Sequence, residues 1–321
     1  MTTVAFDQGR AGDGAERLRL ERVALSTPPP AVPERGWAPA EVAMAEILNT
    51  QPDDIAGVLA RLIAVQKVLD SLPPTPALNR VAAFNSLYYT ITDRVGQALR
   101  GPGVTEPTFL EILDVEFAKR YFHALRLWGE DDDGTPDSWE VLFRRGQDRR
   151  LTRLTAAMLG VNAHINFDLA MALIATWERL GPPGEHIHPD YLLINKIFYE
   201  EIPSLRRRYS TPWQLDIDAV CGNLDDWGQR VLVLSTRAMA WEQAAHIWPL
   251  RADPKDFEKA QLLMDRATAL LGESLIVGDG MVAGTGALVT RTWKLLRRLV
   301  SLTVRLGGRK VLGGRKVATR L

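Results

Sequence analysis

Cysteine is nearly absent. The single Cys221 excludes an intramolecular disulfide and any cysteine-rich metal site. Its neighbours, Ala219 and Val220 before and Gly222 and Asn223 after, include no histidine or cation that would activate the thiol. Net charge is lacking too: 39 basic residues balance 39 acidic ones, so the chain as a whole exerts no pull on nucleic acid or another polyanion. Acidic residues run out after Asp279, while Arg291, Lys294, Arg297, Arg298, Arg305, Arg309, Lys310, Arg315, Lys316 and Arg320 follow. The balanced total therefore joins a slightly acidic body to a cationic tail. Sustained period-two alternation of apolar residues is missing, which predicts essentially no sheet. At the N-terminus, charges stand where a signal peptide needs an apolar run, and the expectation is a cytoplasmic protein.

What is present is one long apolar stretch, Leu154 to Ala175, without Lys, Arg or Glu and with Asn162, His164, Asn166 and Asp168 in its middle. A helix apolar on all sides is a buried one, and a polar group buried inside it costs roughly 1–3 kcal/mol when unpaired. The cluster therefore marks a site. At helical spacing Ala157, Val161, His164, Asp168, Ala172 and Ala175 share a side, which sets His164 and Asp168 one turn apart among small side chains. Such a pair suits three roles: an acid/base couple, two ligands of a divalent metal, or a satisfied core network that fixes helix register. The length also suits a membrane span, against which the central polar set argues.

The rest of the chain reads as helices around this one. Hydrophobic residues make up 46% of the sequence, ample for a full core. Residues 1–36 are rich in glycine, charge and proline and read as a mobile arm. Helices are predicted from Pro39 on, with Pro52-Asp53-Asp54 as a first turn leading to Asp70, then over Ala77–Leu99 and Pro107–Trp128. In the last of these Asp114 is a carboxylate on an apolar stripe with Leu110, Leu113, Phe117 and Tyr121, while Glu116, Lys119, Arg120 and His123 share the solvated face. The acidic stretch GEDDDGTPD, residues 129–137, holds Gly134 and Pro136 and reads as a solvated turn. A short helix follows over Ser138–Arg145. His186 and His188 are two imidazoles without the further ligands of a zinc site, and Asp190 has the chemistry of a cap for the helix behind it. That helix buries Tyr191, Ile194, Phe198 and Ile202, with Asn195 beside the stripe. A helix over Asp226–Trp248 sets Arg237 in line with Trp241, Ala244 and Trp248. A buried guanidinium needs an anionic partner, and Asp168 and Asp114 are the candidates. One more amphipathic helix covers Lys255–Leu271. Beyond Gly278 a glycine-rich joint leads into a basic amphipathic helix with Trp293, Leu296, Val300 and Val304, then the near-duplicates GGRKVL and GGRKVA. Residues 287–321 suit peripheral contact with an anionic membrane surface and lack the aromatic platform that nucleic-acid binding uses.

The segments Phe84 to Tyr88, Leu113 to Phe122, Gly160 to Leu169, Asp190 to Asn195 and Arg237 to Trp241 together resemble an uncharacterised helical family common in actinobacteria, domain of unknown function 5995, over roughly Ala77 to Trp248. The run Asn162-Ala-His164-Ile-Asn166, with Asp168 behind it, is the most specific part. The resemblance implies Asp114, Tyr121, Asn162, His164, Asn166, Asp168, Asn195 and Arg237 as the family's polar set. The chain departs from the pattern at Glu116, Lys119 and Arg120 and in its basic tail. No established activity comes with the resemblance.

The expected fold is an all-α, single-domain bundle of about seven to nine helices around a buried central helix, residues 154–178. The expected domain is 37–276, with 277–321 as joint and tail. The expected function is that of a small-molecule enzyme acting on a hydrophobic or lipid-like substrate. In it His164 serves as acid/base group or metal ligand, and Asp168 as its orienter or second ligand. Asn162 or Asn166 would donate to an oxyanion, and Asp114, Tyr121, Asn195 and Arg237 would line the substrate. The competing class is a non-catalytic helical module that holds an apolar ligand or partner helix and reaches a membrane through its tail. A scaffold whose polar core only sets register is the third.

Overall fold

The computed structural model describes residues 36–72, 79–148, 151–184, 186–209 and 237–279. Residues 1–35 of the arm, Cys221, the first part of the helix expected from Asp226, and residues 280–321 of the joint and basic tail lie outside the described residues, while 277–279, expected in the joint, continue the last helix. The side chains of Phe198 and Ile202 lie outside as well.

Among the described residues all regular structure is helical. Helix α1 is Glu41–Leu48. α2, Ile55–Ser71, starts behind Asp54, whose carboxylate caps it by accepting from Gly57 N at 2.7 Å. Pro52 to Asp54 thus precede the first turn rather than form it, since Asp54 stops the helix backward by taking its free amide. α3, Arg80–Leu99, begins at its Asn79 cap, later than Ala77. α4 is Pro107–Gly129, with proline at its start, and α5 is Asp137–Phe143. α6 spans Arg153–Leu180, capped by Thr152 at one end and closed by Gly181 at φ 107° at the other. α7 is Pro189–Tyr209 and α8 covers residues 237–247. A short 3₁₀ turn, Trp248–Ala252, leads to α9, Pro254–Asp279.

α6 is the axis of the body. Its first half packs on α3, its second on α4, and α5, α7 and α9 close around it. The helix is long and apolar enough to cross a membrane, yet 78% of its most apolar window is enclosed by the other helices. Gly160 is where α3 comes closest: a Cβ built there would stand 2.2 Å from Cγ of Phe84 and 2.6 Å from its Cβ. Any side chain at 160 would push the two helices apart.

At the polar cluster α6 is not a regular α-helix. His164–Asp168 form a π turn, closed by Leu169 N donating to the His164 carbonyl. Such turns widen the helix and are frequent at functional sites. Asp190 also behaves differently from expectation. It sits inside the first turn of α7, and its carboxylate accepts from Thr105 N, Thr105 Oγ1 and Glu106 N, the last at 2.6 Å. It therefore caps the start of α4, not of its own helix, and those amide donors hold the carboxyl below its ordinary range against the opposing cost of burial.

Candidate functional site

Between α3, α4, α6, α7 and α8 lies a cavity of about 30 Å³. Its walls are mostly apolar, with Leu87, Ile91 and Val95 from α3 and Leu113 from α4. Four polar side chains, Tyr88, Asp114, His164 and Arg237, border it. Each carries a buried atom without a well-formed hydrogen bond: Tyr88 Oη, Asp114 Oδ2, His164 Nε2 and Arg237 Nη2. Buried polar groups are normally paired, and four orphans around one apolar space mark that space for a polar guest.

His164 is held on three sides. Its Nδ1 lies 2.9 Å from Asp168 Oδ2, which also accepts from Trp139 Nε1 at 3.0 Å. Its ring lies flat on Phe117, with centroids 3.4 Å apart, and meets Tyr88 edge-on at 4.5 Å. Burial pushes Asp168 up to about 8 and holds His164 well below the usual histidine range, with Arg237 adding to the effect. The pair thus favours its uncharged form, in which the Asp168 carboxyl donates to Nδ1 and Nε2–H is left to face the cavity. Loss of one proton reverses the polarity: Nδ1–H donates to the carboxylate and Nε2 becomes an acceptor. Either form is useful at a substrate atom.

Asp114 is likewise pushed up by burial, to about 7, with Arg237 pulling against it. Burial raises the Tyr88 hydroxyl well above its ordinary range, and the nearby carboxylates of Asp114 and Asp168 add to this. At neutral pH Tyr88 offers a proton, and Asp114 stands between its protonated and ionised forms.

A family model described as "Family of unknown function (DUF5995)" matches residues 55–278. The chain belongs to this family. The matched span takes in every residue that borders the cavity, and it extends beyond the Ala77 to Trp248 resemblance to include α2 and nearly all of α9. No curated protein and no solved structure matches the chain.

Within this DUF5995 body the eight polar residues singled out from the sequence part into three groups. His164, Asp114 and Arg237 border the cavity. Asp168 and Asn195 stand behind them: Asp168 holds His164, and Asn195 Oδ1 accepts from Arg237 Nε at 2.7 Å. Tyr121, Asn162 and Asn166 are engaged elsewhere. Tyr121 donates to Asn85 Oδ1, and Asn85 in turn donates to the Leu62 carbonyl. Asn162 donates to the Thr268 carbonyl of α9 and accepts from Asn166 Nδ2. These asparagines tie α9 to α6 and do not point donors at the cavity. Arg237 has neither carboxylate as a hydrogen-bonded partner, contrary to expectation; it has Asn195 and the face of Tyr191, 4.6 Å away.

Among the described residues no group of three or more His, Cys, Asp or Glu side chains is placed to hold a metal ion. The expected ligands His164 and Asp168 are hydrogen-bonded to each other. His188 stacks on Phe109 and pairs with Glu106, which accounts for one of the two loop histidines.

Trp139 was not singled out in the sequence. Its short helix gives too few turns for an apolar stripe to show. Because its indole N–H favours the Asp168 carboxylate, Trp139→Phe is expected to raise the midpoint of the His164–Asp168 pair by about one pH unit. A carbon-detected titration of the Asp168 carboxyl would read this, and an unmoved midpoint would remove Trp139 from the site.

Proposed function

We propose that the cavity is the active site of an acid/base enzyme acting on a small apolar molecule with a carbonyl or anionic end. What supports this most directly is His164, whose Nδ1 is fixed by Asp168 while Nε2 stays unpartnered beside an apolar space. His164 would pass a proton to or from the substrate through Nε2, Asp168 would set the ring's orientation and tautomer, and Arg237 would receive negative charge. Asp114, in its protonated form, would act as a second donor. Hydrolysis and isomerisation both fall within this chemistry.

The test is a panel of small apolar esters and enolisable ketones, with wild type beside His164→Ala. General acid/base groups contribute roughly 10²–10⁴-fold, so turnover should fall at least 100-fold in the variant while its melting temperature stays within a few degrees. Equal turnover in both proteins would refute the role, and a collapse of stability would assign His164 to the scaffold.

A second role, holding a small ligand without transforming it, is supported by the unpartnered polar atoms that border the cavity. About 30 Å³ leaves room for about two waters. The proposed contact of residues 287–321 with an anionic membrane would belong to this second role.

A further inference from the structure

We infer that the cavity takes a short apolar monocarboxylate, its carboxylate between Arg237 and Asp114 and its hydrocarbon part along Leu87, Ile91 and Val95. The inference rests on the cavity being a ligand site, as proposed above, and adds the class of ligand.

Arg237 is the starting point. It is 1% exposed, and its described partners are a neutral amide and an aromatic face. Neither neutralises a guanidinium, and a buried cation without a counter-charge is strongly disfavoured. Asp114 is near enough for each to perturb the other, yet Arg237 Nη2 and Asp114 Oδ2 both remain unpartnered. Both residues border the cavity, so a guest there that accepts from a guanidinium and from a carboxyl proton would give each orphaned atom a partner. A carboxylate does both with its two oxygens. Asp114, pushed up to about 7 by burial, keeps its proton in weakly acid solution, and an anion bound beside it favours that donating form further.

The same walls limit the charge and the body of the guest. Among the described residues Arg237 is the only Lys or Arg bordering the cavity, so a dianion such as a phosphate monoester would leave a charge uncompensated in an apolar enclosure. The remaining lining offers leucine, isoleucine and valine, which suits hydrocarbon, and the volume restricts its length.

The experiment is calorimetric titration of the full chain with sodium carboxylates from acetate to octanoate, beside primary alcohols of matched length. Carboxylates should bind at least tenfold tighter than the alcohols, with affinity rising along the series and then falling once the cavity is full. Arg237→Gln should lose at least tenfold. Asn195→Asp should do the same without removing the arginine, because it places a carboxylate where an oxygen already lies 2.7 Å from Nε. Alcohols that bind as well as carboxylates, or an Asn195→Asp protein that binds like wild type, would overturn the inference. The two proposals fail separately: carboxylate binding without turnover of any substrate sinks only the acid/base role, and His164-dependent turnover without carboxylate binding sinks only the ligand class.

Discussion

Asp114→Asn is expected to stabilise the protein in neutral and alkaline solution relative to wild type, by an amount that vanishes in acid. Burial raises the folded-state pKa of Asp114 from 3.8 to about 7, so the folded protein binds this proton more tightly than the unfolded chain does. The contribution is fully present below pH 3.8 and is lost as pH rises through about 7. The gap between the two values corresponds to about 4 kcal/mol. Urea melts of both proteins from pH 4 to 9 should show the variant gaining about that much on wild type across the range. A difference that stays constant with pH would mean that Asp114 is ionised in the folded protein and paired with Arg237. Asp168, raised to about 8, adds a slope of the same sign, while His164, held well below its ordinary value of 6.5, gives the opposite one in acid, so the pair adds to the slope only above about 6.5.

Gly160→Ala is expected to destabilise the protein by about 1–3 kcal/mol and to disturb the site as well. The added methyl would meet the root of Phe84 as well as its ring, at 2.6 Å from Cβ and 2.3 Å from Cδ2. Rotating the phenylalanine does not move its Cβ, so relief requires the α3 and α6 backbones to separate. Phe84 borders the cavity and touches His164 edge-on with centroids 5.6 Å apart. The variant should therefore show both a lower urea midpoint and a shifted His164 ring resonance. A loss below about 0.5 kcal/mol would mean that the two helices yield there without strain.

The all-helical architecture and the central helix were legible because their signals are local: uninterrupted apolar residues, end caps, glycine and proline breaks. Burial of Asp114, Tyr121, His164, Asp168, Asn195 and Arg237 followed from their places on apolar stripes, and each is buried. Which of them face one space did not follow. Tyr121 shares the stripe of Asp114 and Phe117, and Asn162 lies two residues before His164, but their partners, Asn85 and the Thr268 carbonyl, come from distant parts of the chain. A helical wheel says that a side chain points inward, not what meets it there. Asp190 shows the same limit, since its sequence position suits a cap for α7 while the amides it reaches belong to the start of α4. The π turn itself did not follow: the polar residues of His164–Asp168 marked a site, but no spacing in the sequence tells a widened turn from an ordinary one.

That π turn makes α6 sensitive to counting. A regular α-helix advances about 100° per residue, and the wide turn at His164–Asp168 sets the angular offset between the half of α6 against α3 and the half against α4. Taking out one residue of the turn would remove the residue by which it exceeds an ordinary helical turn, and would redistribute His164 to Asp168 over new bearings. Side chains elsewhere in α6 can be exchanged for others of similar volume, but between Asn162 and Leu169 the chain is a ruler whose length is fixed.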